Sequence, residues 1–280
     1  MIGEHVVVGY TTDSGGRDAL ALGAAISRIT GGELTVATIY PPGSPGLAVE
    51  AQANLADAAS KLVSEPASEP ASELGVESGG VPAEFLTFES RGAGRGLSVL
   101  ASRIRADLIV VGSAGGGQRG RIGIGSTSDH LLHLSSEAVM LAPEGYPPFD
   151  GLARLTLAYV HRPQCDEAVE RVAQAALRLG VPLRLITFDL RTEDQGRLRD
   201  DLALAVRLAW ESTGIEAEAE LAEGHDVTAA MANVEWLPGE LLVCAASEDA
   251  QPHRVFLGEL AMKVLRASPC PVTVLPRGFT

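Results

Sequence analysis

Asp107-Leu108-Ile109-Val110-Val111-Gly112-Ser113-Ala114-Gly115-Gly116-Gly117-Gln118-Arg119-Gly120-Arg121-Ile122-Gly123-Ile124-Gly125-Ser126-Thr127 passes from a branched apolar run, through a loop punctuated by glycine, into the start of a helical pattern. The apolar run reads as a buried strand. Glycines after a parallel strand allow positive φ and close backbone approach, so successive N–H groups can turn towards one anion. Gly125-Ser126-Thr127 adds the unpaired amides of a helix N-terminus and two hydroxyls. The segment therefore reads as a phosphate cradle. It is not of the Walker type, because no Lys follows a glycine before the Ser or Thr. A plain flexible connector would use the same glycines, and a simple N-cap would account for Ser126.

Outward from this stretch, short β-branched runs alternate with longer helical periods, the pattern of parallel strands joined by crossover helices. In the first half, strands are expected near His5 to Tyr10, Leu34 to Ile39, Ala83 to Phe88, Leu108 to Val111 and Ala138 to Leu141. The first helix runs from about Gly16 to Thr30 and stops at Gly31-Gly32. In such open sheets a ligand sits where the strand order reverses, beyond the carboxyl ends of the strands. The polar turn Thr11-Thr12-Asp13-Ser14-Gly15-Gly16 after strand one would face the glycine loop there.

The second half repeats this order. Asp107 to Gly112 aligns without a gap on Glu240 to Ala245 at an offset of 133, which also carries Gly125 to Gly258 and Ser135 to Ser268. Nearer the amino ends the offset is 149: Arg17-Asp18-Ala19-Leu20 meets Asp166-Glu167-Ala168-Val169. The first copy thus carries 16 extra residues in its middle, in part the tandem duplication Glu65-Pro66-Ala67-Ser68-Glu69-Pro70-Ala71-Ser72, read as a surface extension. The expected division is a first domain over 1–144, a linker over 145–151 around Gly145-Tyr146-Pro147-Pro148, and a second domain over 152–280.

Composition narrows the function. The 280 residues carry 36 acidic and 22 basic side chains, a formal charge of −14, and both halves are acidic. Such a chain has no basic patch to gather a nucleic acid or an anionic membrane surface. Any anionic ligand must be held locally by amides and helix dipoles. Cys165, Cys244 and Cys270 form no C-x-x-C pair, which argues against a disulfide framework or zinc site and fits a reducing cytoplasm. No apolar run approaches the ~20 residues of a membrane span, and no basic leader precedes Val6-Val7-Val8, so an unexported protein is expected.

Gly112, two residues, Gly115, nine residues, Gly125 and Ser126 resemble the G-x2-G-x9-G-[S/T] signature of the universal stress protein family. Val8-Gly9-Tyr10, Arg17-Asp18-Ala19-Leu20, and in the second copy Val255-Phe256-Leu257-Gly258 and Ser268-Pro269-Cys270-Pro271-Val272, extend the resemblance over nearly the whole chain. It implies two tandem Rossmann-like α/β domains, adenine nucleotide alpha hydrolase-like, each an open five-stranded parallel sheet of order 3-2-1-4-5 flanked by helices. It also implies ATP, with Mg2+ as a candidate companion. Phosphates would lie on Gly112, Gly115, Gly125, Ser126 and Thr127, and adenine and ribose against Thr11 and Ile39. Arg119 and Arg121 are candidates to reach the outer phosphates as charge-assisted donors, with plain solvation as the alternative. The fifth strands, near Ala138 to Leu141 and Val272 to Leu275, would pair and make the chain an internal pseudo-dimer, with further homodimerisation left open.

Two departures matter. ATP-binding members carry Asp where this chain has Thr11, with Asp13 two residues further on. In the second copy the signature positions read Ala245, Glu248, Gly258 and Glu259, with His161 read at the strand-one position. Two carboxylates in place of a glycine and a hydroxyl would repel a polyphosphate.

The reading is a cytoplasmic stress-response protein with one regulatory ATP site, in its N-terminal domain, and a non-binding C-terminal partner domain. The alternatives are a scaffold without nucleotide, or an ATP-hydrolysing or pyrophosphatase-type enzyme suggested by Ser14-Gly15-Gly16-Arg17-Asp18. In that motif the Ser follows the strand almost directly, whereas here it stands four residues past Tyr10, and Ala19 replaces the final Ser. No general base stands beside a nucleophile, so no catalytic residue is assigned. His130 and His133, one helical turn apart, suit a surface or interface pair better than a metal, and Trp210 and Trp236 read as core anchors.

Overall fold

In a computed structural model, residues 2–64, 82–115, 118–147, 149–191, 194–247 and 249–278 are described. The first copy contains β1 (His5–Gly9), α1 (Ser14–Thr30), β2 (Glu33–Tyr40), α2 (Pro45–Ser64), β3 (Ala83–Glu89), α3 (Ala93–Ile104), β4 (Leu108–Gly112), α4 (Ser126–Leu134) and β5 (Ala138–Ala142). The second contains β6 (Arg154–Ala158), α5 (Pro163–Leu179), β7 (Leu183–Asp189), α6 (Gln195–Thr213), β8 (Ala217–Glu223), α7 (Val227–Ala232), β9 (Glu240–Ala245), α8 (Glu259–Ala267) and β10 (Val272–Leu275).

Local chemistry sets these boundaries. The Asp13 carboxylate accepts from Gly16 N at the start of α1, and Gly31 ends that helix at φ 69°. Pro163 opens α5, where its missing N–H costs nothing, and Gly180 closes it at φ 65°. Alternation along each strand feeds both faces of the sheet. Val6, Val8, Leu108 and Val110 join one core, and Val7, Ile109 and Val111 join the other. The central strands are apolar on both sides because helices cover both.

The strand order is β3-β2-β1-β4-β5-β10-β9-β6-β7-β8. Each half is the expected 3-2-1-4-5 parallel sheet. The halves join through β5 and β10, which run antiparallel with Val139 opposite Val274 and Leu141 opposite Val272. One sheet therefore crosses the whole molecule as an internal pseudo-dimer. Offsets between copies are 149 from α1 to α5 and 134 from β3 to β8, so 15 of the extra residues fall between α2 and β3. The Glu65–Ser72 duplication lies in that interval, outside the described residues.

Polar groups are buried in the second half on a scale the sequence reading did not foresee. Arg184 is 1% exposed and Glu240 0%, and they pair at 2.6 Å. Arg184 also reaches Glu220 at 2.5 Å and lies over the Trp236 ring at 4.8 Å, while Arg154 meets the other Glu240 oxygen at 2.9 Å. Trp236 is thus packed partly as a cation partner. Trp210, expected in the core, is 54% exposed. The buried stripe of α6 is Leu198, Leu202, Ala205 and Ala209, and Trp210 stands one position off it. The three cysteines are free and buried, and burial pushes the Cys244 and Cys270 thiols up to about 12.

Candidate functional site

Where β1 and β4 end side by side, their following loops open a cleft of about 240 Å³. It lies at the reversal of strand order, the usual ligand position in this architecture. Thr11, Ile39, Gly112, Gly115, Gly125, Ser126 and Thr127, separated by up to 116 positions in sequence, all line it.

The glycines do different work. A Cβ on Gly112 would lie 1.9 Å from Gly15 O, and one on Gly15 would lie 2.2 Å from Ser113 O. These two glycines allow the first turn of α1 to touch the end of β4. A Cβ on Gly115 would meet nothing within 4 Å among the described residues, so this glycine faces open cleft. Gly116 and Gly117, part of the same loop, lie outside the described residues.

The two helix N-termini at the cleft also differ. That of α1 is closed by its own Asp13 carboxylate, whose Oδ1 takes Gly16 N at 2.8 Å and the Thr11 hydroxyl at 3.0 Å. That of α4 has Gly125 as N-cap, which offers no side-chain oxygen to the first-turn amides. Ser126 is the first helical residue and does not cap. Ser128 closes back on the cap instead, accepting from Gly125 N at 2.9 Å. The hydroxyls of Ser126 and Thr127 have no partner among the described residues. Free amides, two free hydroxyls and the positive end of a helix dipole therefore converge on one side of the cleft. Asp13 is the one charged side chain in the described lining. The donor set fits a phosphate group.

Arg121 is not brought into this set. Its Nη1 donates to Gly120 O at 3.2 Å, and it does not line the cleft. Its backbone carbonyl accepts from Glu144 N at 3.0 Å, and Gly120 N donates to Glu144 O at 2.8 Å. These bonds turn residues 118–121 away from the cleft and towards the exit of β5. Arg119 packs beside Gly145, again outside the lining.

Ser113, which the sequence reading passed over, fastens the loop. Its Oγ lies 3.0 Å from Arg121 O and 3.1 Å from Ala142 O, and accepts from Gly123 N at 3.0 Å. Its position inside the two-residue gap of the glycine signature was the available signal. Nearby, Asp18 Oδ2 accepts from Gly145 N at 2.7 Å. Burial raises the Asp18 carboxyl above its ordinary value, the Gly145 N–H partly offsets this, and Glu144 raises it further.

His130 and His133 line a separate crevice between the halves, beside Arg254 and Phe256. His133 meets the Phe256 ring edge-on at 5.4 Å. No group of three metal-ligating side chains occurs among the described residues.

The second copy keeps the loop geometry but not the chemistry. Ser247 N donates to Phe256 O at 2.7 Å, as Ala114 N does to Gly123 O at 2.9 Å. Tyr159 N and the Thr187 hydroxyl repeat the bonds of Tyr10 N and Thr38, which places Val160, not His161, opposite Thr11. The offset of 149 between the amino ends of the two copies gives the same match, so His161 corresponds to Thr12. Glu259 does stand at the first turn of α8, and its exposed carboxylate pairs with Lys263 one turn on at 2.6 Å. Glu248 lies outside the described residues.

Fold and clefts together define a tandem, doubly wound α/β protein with a cleft at the switch point of each half. The model of the universal stress protein family matches residues 3–143 and 153–276, and the chain belongs to that family. Universal stress proteins of Mycobacterium tuberculosis and Mycobacterium bovis are each 32% identical to it over 293 residues, covering 97% of this chain and 99% of theirs. A solved universal stress protein from Archaeoglobus fulgidus shares the fold over 99% of this chain and 100% of its own, with a TM-score of 0.74 at 18% identity. One from Pseudomonas aeruginosa, over 98% and 94%, has a TM-score of 0.64 at 15% identity.

Proposed function

We propose that the first half binds ATP as a regulatory ligand, one molecule per chain. The observation that carries this reading is the uncapped N-terminus of α4, whose free amides and Ser126 and Thr127 hydroxyls face the same cleft as Gly115. Thr11 and Ile39, at the ends of β1 and β2, supply a hydroxyl and an apolar surface for ribose and base. A Mg2+ ion on the polyphosphate would find the Asp13 carboxylate and otherwise water.

Binding there bears on the loop 113–123, which is bonded through Ser113, Gly120 and Arg121 to Ala142 and Glu144 at the exit of β5. Because β5 is the strand that pairs with β10, ligand and domain junction share one hydrogen-bonded unit. The role is therefore binding-linked change rather than turnover. The one candidate general base in the described lining is the Asp13 carboxylate, whose Oδ1 is taken by Gly16 N and the Thr11 hydroxyl. The second half, with Val160 and Ala245 at the corresponding positions, acts as partner domain without ATP, and the buried free thiols fit a reducing cytoplasm.

Equilibrium binding of labelled ATP to the full chain tests this. Saturable binding at one equivalent, abolished by Ser126→Glu, is expected. Absence of saturable binding at millimolar ATP sinks the reading, and unchanged affinity in Ser126→Glu shows the phosphate position to be wrong.

A further inference from the structure

The second half retains a cleft at the same place and of nearly the same size, about 230 Å³ against about 240 Å³ in the first. Most of its lining corresponds to that of the first, and most of the hydroxyls have been replaced. Val160 stands for Thr11, Ala245 for Gly112, Ala246 for Ser113, Leu260 for Thr127, Ala261 for Ser128 and Phe188 for Ile39, while Glu259 stands for Ser126 and Ser247 for Ala114.

From this pairing we infer that the second cleft is a binding site for an uncharged, mainly apolar small molecule carrying an aromatic ring. A cleft that had merely lost a nucleotide would gain by filling in, because apolar walls facing water are costly and voids forfeit dispersion contacts. This one has instead exchanged four hydroxyl side chains, those of Thr11, Ser113, Thr127 and Ser128, for aliphatic ones while keeping its volume. Val160 and Leu260 remain 38% and 40% exposed at its mouth. Phe188 supplies an aromatic wall where the first cleft has an aliphatic one.

Charge selects against an ionic ligand. The described lining holds two charged side chains of opposite sign, Arg162 and Glu259, and Glu259 is already paired with Lys263. Gly258 still caps α8 as Gly125 caps α4, but Glu259 and Leu260 replace the Ser126 and Thr127 hydroxyls at that helix end. Gly15 and Gly16, which cannot carry a Cβ where they stand, are matched by Gln164 and Cys165, both in the wall. The inference holds whether or not the first cleft takes ATP.

The test is fluorescence titration of the full chain with N-phenyl-1-naphthylamine, a neutral aromatic probe that brightens in apolar surroundings. One saturable site per chain is expected, indifferent to excess ATP and to Ser126→Glu. Val160→Asp places a carboxylate at the mouth and should weaken binding at least tenfold with the unfolding midpoint unchanged. Should that variant fail to fold, Ala261→Phe, which fills the cleft with a ring, is expected to give the same loss. Absence of saturable binding, or undiminished affinity in the folded variant, overturns the proposal, the latter by placing the probe elsewhere.

Discussion

Gly15 and Gly112 meet backbone to backbone, so that a methyl group on Gly112 would sit 1.9 Å from the Gly15 carbonyl oxygen. The contact joins the first turn of α1 to the end of β4, both in the lining of the first cleft. Gly112→Ala is expected to cost roughly 1–3 kcal/mol, the usual range for overpacking against a fixed neighbour. A lowered urea midpoint checks this. An unchanged midpoint would mean that the two loops separate freely.

Gly115 should behave oppositely. With nothing described within 4 Å of its Cβ position, Gly115→Ala is expected to leave stability within about 0.5 kcal/mol. ATP affinity should nevertheless fall, because the methyl enters the space assigned to phosphate. The pair of alanine variants therefore separates a packing glycine from a ligand-facing one in the same motif.

Ser113→Ala removes the acceptor of Gly123 N and the tie to Arg121 O and Ala142 O. A buried group losing its partner costs about 1–3 kcal/mol. Faster amide exchange over residues 118–123 is the diagnostic readout. Uniform exchange across the half would show that Ser113 supports the core rather than the loop.

Asp18 gives a pH dependence whose sign follows from its burial. Its folded carboxyl is raised above 3.8, so the stability associated with its proton is complete below that value and is lost as pH rises through the raised one. Asp18→Asn keeps an acceptor for Gly145 N without ionising. The variant should therefore gain on the native chain between pH 4 and pH 7 when urea midpoints are compared. A relative loss over that range would make Asp18 a stabilised anion.

Arg184 and Glu240 present a different electrostatic case. Removing one partner of a buried pair costs roughly 3–5 kcal/mol where the other is left without compensation, and Glu240→Ala, which leaves Arg184 at 1% exposure with Glu220 as its remaining carboxylate, should fall at or below the lower end of that range. The double variant Arg184→Met with Glu240→Ala should recover part of that loss. If the double variant is less stable than Glu240→Ala alone, the remaining contacts of Arg184 to Glu220, Thr156 and Trp236 outweigh its desolvation.

The positions of strands and most helices, the internal repeat and the glycine loop were legible in the residues. Period, β-branching and turn chemistry act over a few neighbours and leave their mark in linear order. Seven of the eight residues expected at the ligand line one cleft, and all but Gly115 stand at or next to the end of a strand or the start of a helix. Arg121 was misplaced because the direction of a loop side chain depends on what the loop binds, here Glu144 at the exit of β5.

Sequence alone determined that this chain is one α/β unit written twice, with a phosphate-type loop intact in the first copy. Only tertiary structure decided which glycines are steric and which are open, because that depends on segments about a hundred residues apart coming within van der Waals reach. It also decided which helix end is free. On paper Ser126 is a candidate cap, and only the folded chain shows Gly125 in that place, leaving the α4 terminus open, while the Asp13 carboxylate closes α1.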